Sequence, residues 1–194
     1  YNGSAMSTLE VNTINEYSSG SGVTIDGVLL KDNSLHGLAF DDHDVWCLTT
    51  NTGDGSDGDI TSNWARPTGG SGMYTKWGTN ITESSGIFSF PTTGYWYIEI
   101  NVAIRTSNDP TIECQLKGTT NNSSYNTITM ARQGCRANVG ATYMWASSSV
   151  VLDITDVSNQ KVKLAVDSAA SGSYIQGNAD GQQTKISFTR LGDT

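Results

Sequence analysis

The clearest signal in this chain is a two-residue alternation of apolar and polar side chains. In WYIEINVAIR (96–105), Trp96, Ile98, Ile100, Val102 and Ile104 share one side of an extended backbone. Tyr97, Glu99, Asn101 and Arg105 share the other. Successive strand side chains point to opposite faces, so the segment predicts a strand with one buried face. Shorter segments repeat the pattern. VWCLTT (45–50) sets Trp46 and Leu48 against Val45 and Cys47, and GIFSF (86–90) runs into a turn at Pro91 and Gly94. TIECQLKG offers Ile112, Cys114 and Leu116 to a core; YNTITMAR offers Ile128 and Met130. ATYMWASSSVVLDI is long enough for a strand, with a break expected near Ser147–Ser149 and burial of Val150, Leu152 and Ile154 beyond it. KVKLAV buries Val162, Leu164 and Val166, and TKISFTRL closes the chain with Ile186 and Phe188. Eight or more strands at this spacing, joined by polar loops such as TTNNSSYN and SAASGS, predict a two-sheet sandwich, with the jelly roll a common form.

Residues 7–38 carry a weaker version of the signal, in LEVNTI and GVTIDGVLL. Val23, Ile25 and Leu29 share one parity; Thr24, Asp26 and Leu30 share the other. Each piece is too short and too glycine-flanked to hold its own core. It needs a larger domain to dock on, or identical copies of itself.

Composition narrows the class. The 194 residues include 21 Gly and only 3 Pro, which suits tight turns between strands rather than a helical bundle. A net charge of −8, with no Lys/Arg cluster, excludes a nucleic-acid partner, which needs a positive face. No apolar run reaches the ~18 residues of a membrane-spanning helix, and no signal-peptide pattern is legible. YNGSA (1–5) differs in character from the STLEV after Met6 and is set apart as a non-native leader. Three cysteines, Cys47, Cys114 and Cys135, are too few for a disulfide framework. Free buried thiols are the main reading, and a Cys114–Cys135 pair the other.

Candidate chemistry is sparse. His43 stands among Asp41, Asp42 and Asp44, which reads as a solvated acidic turn or, alternatively, a metal or acid–base centre. Asp54, Asp57 and Asp59 in TGDGSDGDI offer hard oxygen ligands of the kind Ca²⁺ takes, or form an ordinary polar turn. They do not match the EF-hand spacing, because Ala65 stands where its final Glu belongs. No G-x-S-x-G elbow occurs. Glu83, Glu99, Glu113 and Asp153 have the side chains of glycosidase carboxylates, but the pattern reads as outward-facing strand positions. Among the aromatics, Trp96 is core and Trp64, between SN and ARPTGG, is the expected exposed one, with a recognition role. Asn80 and Asn122 fit the N-x-S/T pattern, which carries meaning only in a secreted eukaryotic protein.

SSGIFSFPTTGYWYIEINVAI (84–104) resembles the signature of the complement C1q globular domain, a relative of the tumour-necrosis-factor jelly rolls, through Phe88, Phe90, Pro91, Gly94, Tyr95, Trp96 and Tyr97. ASSSVVLDITDVSNQKVKLAV (146–166) and TKISFTRLGDT resemble that family's later strands, although DVSNQ replaces its compact Gly-Asp turn. VNTINEYSSGSGVTIDGVLLKDNSL (11–35) resembles the stems of bacteriophage fibre and appendage proteins, especially marine ones, in which short strands of three chains intertwine.

Together these resemblances imply an all-β homotrimer. An intertwined stem or attachment segment (6–38) carries a C1q/TNF-like jelly-roll head (39–194). They place Val23, Ile25, Val28, Leu29 and Leu30 of the stem, and Tyr95, Tyr97, Tyr143 and Trp145 of the head, at the trimer interface. The outer loops 119–126 and 167–181 become contact candidates through Asn121, Asn122, Tyr125, Tyr174 and Asn178, beside Trp64. The implied function is a non-enzymatic virion-surface appendage. It would be a fibre tip binding a host glycan or protein, or alternatively a capsid decoration that binds only other virion proteins. No cofactor is required; some members of the C1q family hold calcium, which would fall to Asp54, Asp57 and Asp59.

Overall fold

The computed structural model describes residues 23–25, 28–31, 34–36, 42–67, 74, 76–106, 111–134, 140–167, 169, 171–178 and 182–194. The chain divides into two compact units, Tyr1–Ala39 and Phe40–Thr194. In the first, β1 (Val23–Ile25), β2 (Val28–Lys31) and β3 (Ser34–His36) form an antiparallel meander, with Val23 opposite Leu30 and Leu30 opposite Leu35. This ladder is made within the chain. Burial of Val23, Ile25, Val28, Leu29 and Leu30 against symmetry mates concerns side chains outside the described residues.

The second unit opens with β4 (His43–Leu48), the short β5 (Gly58–Asp59) and β6 (Trp64–Ala65), and the hairpin β7 (Thr82–Ser84) and β8 (Ile87–Ser89). It continues through β9 (Gly94–Thr106), β10 (Thr111–Thr119), β11 (Asn126–Gly134), β12 (Thr142–Ile154) and β13 (Lys161–Asp167). The last two are β14 (Tyr174–Ile175) and β15 (Lys185–Gly192). One sheet has the order β12-β9-β15-β4-β6, with β14 also on β9; the other has β11-β10-β13-β8-β7, with β5 also on β13. Every pairing is antiparallel, and the chain crosses between sheets from β9 to β10, from β11 to β12 and from β12 to β13. That order is a jelly roll.

The alternation read from sequence builds the core. Trp96, Ile98, Ile100, Val102 and Ile104 are fully buried, facing Ile112, Cys114, Leu116, Val162 and Leu164 of the other sheet. Phe88 sits at an aromatic junction, with ring centroids 6.0 Å from Trp46, 5.3 Å from Trp64 and 5.5 Å from Phe188. The β7–β8 hairpin that presents it turns at Gly86, where φ is +79° and a Cβ would lie 2.1 Å from the Ile60 carbonyl oxygen. Only glycine fits there.

Three expectations are corrected. β12 runs unbroken through Ser147–Ser149, because each residue of Thr142–Ile154 pairs with β9. β4 does not alternate in burial: Asp44 through Leu48 are all buried. Its outer side is covered by the chain beyond β6, where the Tyr74 hydroxyl accepts a 2.8 Å bond from the Val45 amide. In β11, Ala131 is the buried residue, while Ile128 and Met130, both expected in the core, are exposed. A bulge opposite Leu116/Lys117 shifts the register, so Met130 pairs with the outward Gln115.

Cys47 and Cys114 are free and buried, while Cys135 lies outside the described residues. Burial pushes the Cys47 thiol up to about 11, against a weaker lowering by Lys185, and the Cys114 thiol up to about 12. Both remain protonated and behave as small apolar side chains.

Phe88→Ala is expected to cost about 3–5 kcal/mol, because it removes the ring on which three other aromatics pack. Chemical denaturation will show this as a lower midpoint at an unchanged slope.

Candidate functional site

Two surface features stand out on the jelly roll. The first is the outer face of β9 and β12. With the even positions of β9 turned inward, Tyr95 and Tyr97 point out; β12 sets Val151 beside Tyr97, and Tyr143 and Trp145 on the same face at its other end. Tyr143 is 63% exposed, Trp145 59%, Val151 51% and Tyr95 43%. The register places Val151 opposite Tyr97, Trp145 opposite Ala103 and Tyr143 opposite Arg105. The face therefore has two apolar ends, about 20 Å apart at ~3.4 Å per residue. A polar middle of Ser147, Ser149, Asn101 and Glu99 separates them.

β12 is also the edge of its sheet. Its first eleven residues, Thr142 to Leu152, contain no charge and no proline, the usual protections of an exposed edge. Exposed apolar surface on a long uncharged edge is a general feature of association surfaces.

The second feature is the seam between the edge strands β11 and β12, which belong to different sheets. Side chains join them: Thr129 Oγ1 lies 2.5 Å from Ser148 Oγ, and Gln133 Nε2 donates to the Trp145 carbonyl at 3.0 Å. Beyond these contacts the seam opens into a cavity of about 280 Å³. At its wall, a Cβ on Gly118 of β10 would meet Ile128 Cδ1 at 2.3 Å, so the isoleucine takes the place of a side chain there. Ile128 is the extra residue of the β11 bulge and is 38% exposed. Buried Ile154 and Val162, with Leu152 and Ile128, form an aliphatic lining. Asn126, Asp153 and Lys161 also border the cavity; alternation along β12 and β13 turns the Asp153 and Lys161 side chains to the outer faces.

The 119–126 loop frames this cavity. Asn121 lines it, but its Oδ1 is engaged within the loop, accepting from the amides of Ser123 at 3.0 Å and Ser124 at 2.9 Å. Asn122, exposed at φ +54°, donates its amide to the Asn159 carbonyl at 3.0 Å. Tyr125 faces elsewhere: Lys163 Nζ sits 4.0 Å from its ring centroid and also pairs with Asp59 at 2.6 Å.

The remaining expected site residues are dispersed. Trp64 is a correction. It is 8% exposed, packs on Phe88 and donates to the Ile60 carbonyl at 3.1 Å, so it belongs to the core. Tyr174 is half-buried with the Arg105 guanidinium 5.1 Å from its ring centroid, and Asn178 is exposed. Asp54, Asp57 and Asp59 do not converge. Asp54 accepts from the Gly172 amide at 2.8 Å and Asp57 from the Ala169 amide at 2.9 Å, while Asp59 holds Lys163. Among the described residues, no group of three or more His, Cys, Asp or Glu side chains could hold a metal.

The acidic turn around His43 is also not solvated. Asp42 and Asp44 are buried. Asp44 accepts from Arg66 at 2.9 and 2.7 Å and from Tyr74 at 3.1 Å, and so ties down the chain after β6. His43 stacks on Trp77 with centroids 4.7 Å apart and bonds Thr189 at 2.9 Å. Sequence reading missed the role of Trp77 and Arg66, because the groups they contact lie on a strand more than twenty residues away.

No family model matches this chain, and no curated protein matches it. Solved structures do. Murine APRIL at pH 8.5 aligns with TM-score 0.56 and 11% identity, covering 77% of this chain and 98% of that one. Eiger TNF from S. frugiperda aligns with TM-score 0.52 and 15% identity, covering 78% and 93%. The fold is a tumour-necrosis-factor-like jelly roll.

Desolvation of the half-buried imidazole lowers the His43 pKa below 6.5, and Asp44 opposes this only in part. The unfolded chain then binds more protons than the folded one between the two values, so stability rises with pH there. The contribution is complete above about 6.5 and is lost as pH falls toward the folded value. His43→Gln is expected to lose less stability than the parent on acidification from pH 7 to pH 5, read from denaturation midpoints at each pH.

Proposed function

We propose that this chain is a non-enzymatic attachment module: a homotrimer whose jelly-roll heads assemble through the outer face of β9 and β12. The carrying observation is the thirteen-residue edge strand β12, whose outer face exposes Tyr143 and Trp145 at one end and Val151 with Tyr95 and Tyr97 at the other. Left in water, such an edge recruits other strands indiscriminately. A contact of one protomer's edge on another's face is heterologous, and it stays soluble only if it closes into a ring. Three is the closure implied by the resemblance to C1q and tumour-necrosis-factor heads. The solved neighbours support the jelly roll on which that closure depends.

The finer reading places the module on a virion surface, as the tip of a fibre with residues 6–38 as its stem. Its support is the phage-fibre resemblance of residues 11–35. Three weak sites on one rigid head gain avidity through effective concentration, so adhesion needs no strong single site. Calcium has no part in this reading, since Asp54, Asp57 and Asp59 each have other partners.

Sedimentation equilibrium tests the assembly. The parent is expected at three times its 20.7 kDa chain mass, and Tyr143→Ser/Trp145→Ser at the monomer mass with an unchanged circular dichroism spectrum. A parent that sediments as a monomer, or a double variant that stays trimeric, contradicts the reading.

A further inference from the structure

We propose that Lys117, Lys161 and Lys163, on the outer face of the β10–β13 pair, form a binding site for the anionic groups of an acidic polysaccharide. This deepens the attachment reading by naming the ligand class, and it rests on that reading for its purpose. The site itself lies within one protomer.

Strand register builds the patch. Leu116, Val162 and Leu164 are buried, so alternation turns Lys117, Lys161 and Lys163 outward. β10 and β13 pair with Lys117 directly opposite Lys163 and with Thr119 opposite Lys161. Directly opposed side chains start about 5 Å apart at Cβ, and Lys161 lies about 7 Å from Lys163 along the strand. Three of the 11 Lys and Arg residues therefore meet at one place on a chain with a net charge of −8. Sequence spacing conceals this, because Lys117 is far from the other two along the chain.

The arrangement is unfavourable within the chain. Like charges directly opposite in a sheet repel. Lys163 has local compensation from Asp59 at 2.6 Å and from the Tyr125 ring, whose centroid lies 4.0 Å from its Nζ. Lys117 and Lys161 have neither a hydrogen bond nor an ion pair from their side chains among the described residues. Two uncompensated ammonium groups beside a partly compensated one favour an anion from outside. At physiological salt, distant acidic residues are screened within about 8 Å, so an incoming anion meets the local charge rather than the net charge.

The surroundings favour a sugar polymer over an acidic peptide. Ser89 flanks Lys161 on the β8 side, and Thr127 flanks Lys117 on the β11 side. The loop that carries Tyr125 adds exposed Asn122 and Ser123. Hydroxyl and amide groups complement the hydroxyls of a sugar. A peptide is held by an apolar groove or a free strand edge, and β10 and β13 are both interior strands. The patch also lies on the sheet that does not contain β9 and β12, so assembly through their outer face does not use it. A trimer would then present three such patches and gain avidity.

Surface plasmon resonance of the full chain over immobilised dextran sulfate, unmodified dextran and polyglutamate tests the assignment. Binding to dextran sulfate alone is expected, and it should fall as salt is raised. Lys117→Gln/Lys161→Gln should weaken it about tenfold with an unchanged circular dichroism spectrum. Asp59→Asn should strengthen it about threefold, because it frees Lys163 from a competing carboxylate.

Equal binding to dextran or to polyglutamate overturns the choice of an acidic polysaccharide. No binding to dextran sulfate, full binding by the folded double variant, or no gain from Asp59→Asn overturns the site. Sedimentation run alongside separates this reading from the assembly. A monomer that binds keeps the lysine patch and removes the trimer; a trimer that does not bind does the reverse.

Discussion

The structure depends on β9 being paired along both edges while its side chains alternate without error. β12 follows it through thirteen residues, and β15 follows the other side from Lys185 to Gly192. The inward row of Trp96, Ile98, Ile100, Val102 and Ile104 is the centre of the core, each side chain contributing roughly 1.5–3 kcal/mol by burial. A slip of one residue would turn that row to solvent and bring Tyr97, Glu99 and Asn101 inside. The same constraint creates the aromatic face. Once the even positions are committed to the core, Tyr95 and Tyr97 must face outward, and pairing with β12 sets Val151 beside Tyr97. Core and exposed aromatic face are two sides of one strand.

Packing weakens away from this centre, toward the seam. The inward residues of β12 include Ala146 and Ser148 and are only half-buried, and opposite them β11 offers Thr129 and Ala131. Small side chains there do not fill the sandwich, and the seam is held by hydroxyl and amide bonds instead. The cavity opens where even those stop. At the far side of the sheet the opposite solution holds. Arg66 and Tyr74 converge on buried Asp44 and bring later chain across β4. A sandwich with one sealed and one open side is suited to contacts at the open one.

The part of the fold legible in the sequence was the part set by period. The strands of the core, their inward rows and the two-sheet architecture were legible, because alternation and turn residues act locally. Of the exposed aromatics, parity gave only Tyr97; Tyr95, Tyr143 and Trp145 entered through the resemblance to C1q-like heads. The bulge at Ile128 was not legible, since nothing local marks it; the register with β10 leaves Ile128 and Met130 exposed and buries Ala131. Trp64 looked exposed from its polar neighbours, yet Phe88, two dozen residues on, claims it for the core. Asp44 looked solvated until Arg66 and Tyr74 supplied its partners. The cavity escaped the sequence because it consists of missing packing between β10, β11, β12 and β13.

The central claim is that the β9–β12 face is covered in solution, and hydroxyl-radical footprinting reads it most directly. Tyr143 and Trp145 are 63% and 59% exposed on the single chain. The account predicts that both are protected from oxidation at micromolar concentration, while Trp77, 46% exposed on another part of the surface, is oxidised readily. Oxidation of Tyr143 and Trp145 at rates equal to or above that of Trp77 would contradict it.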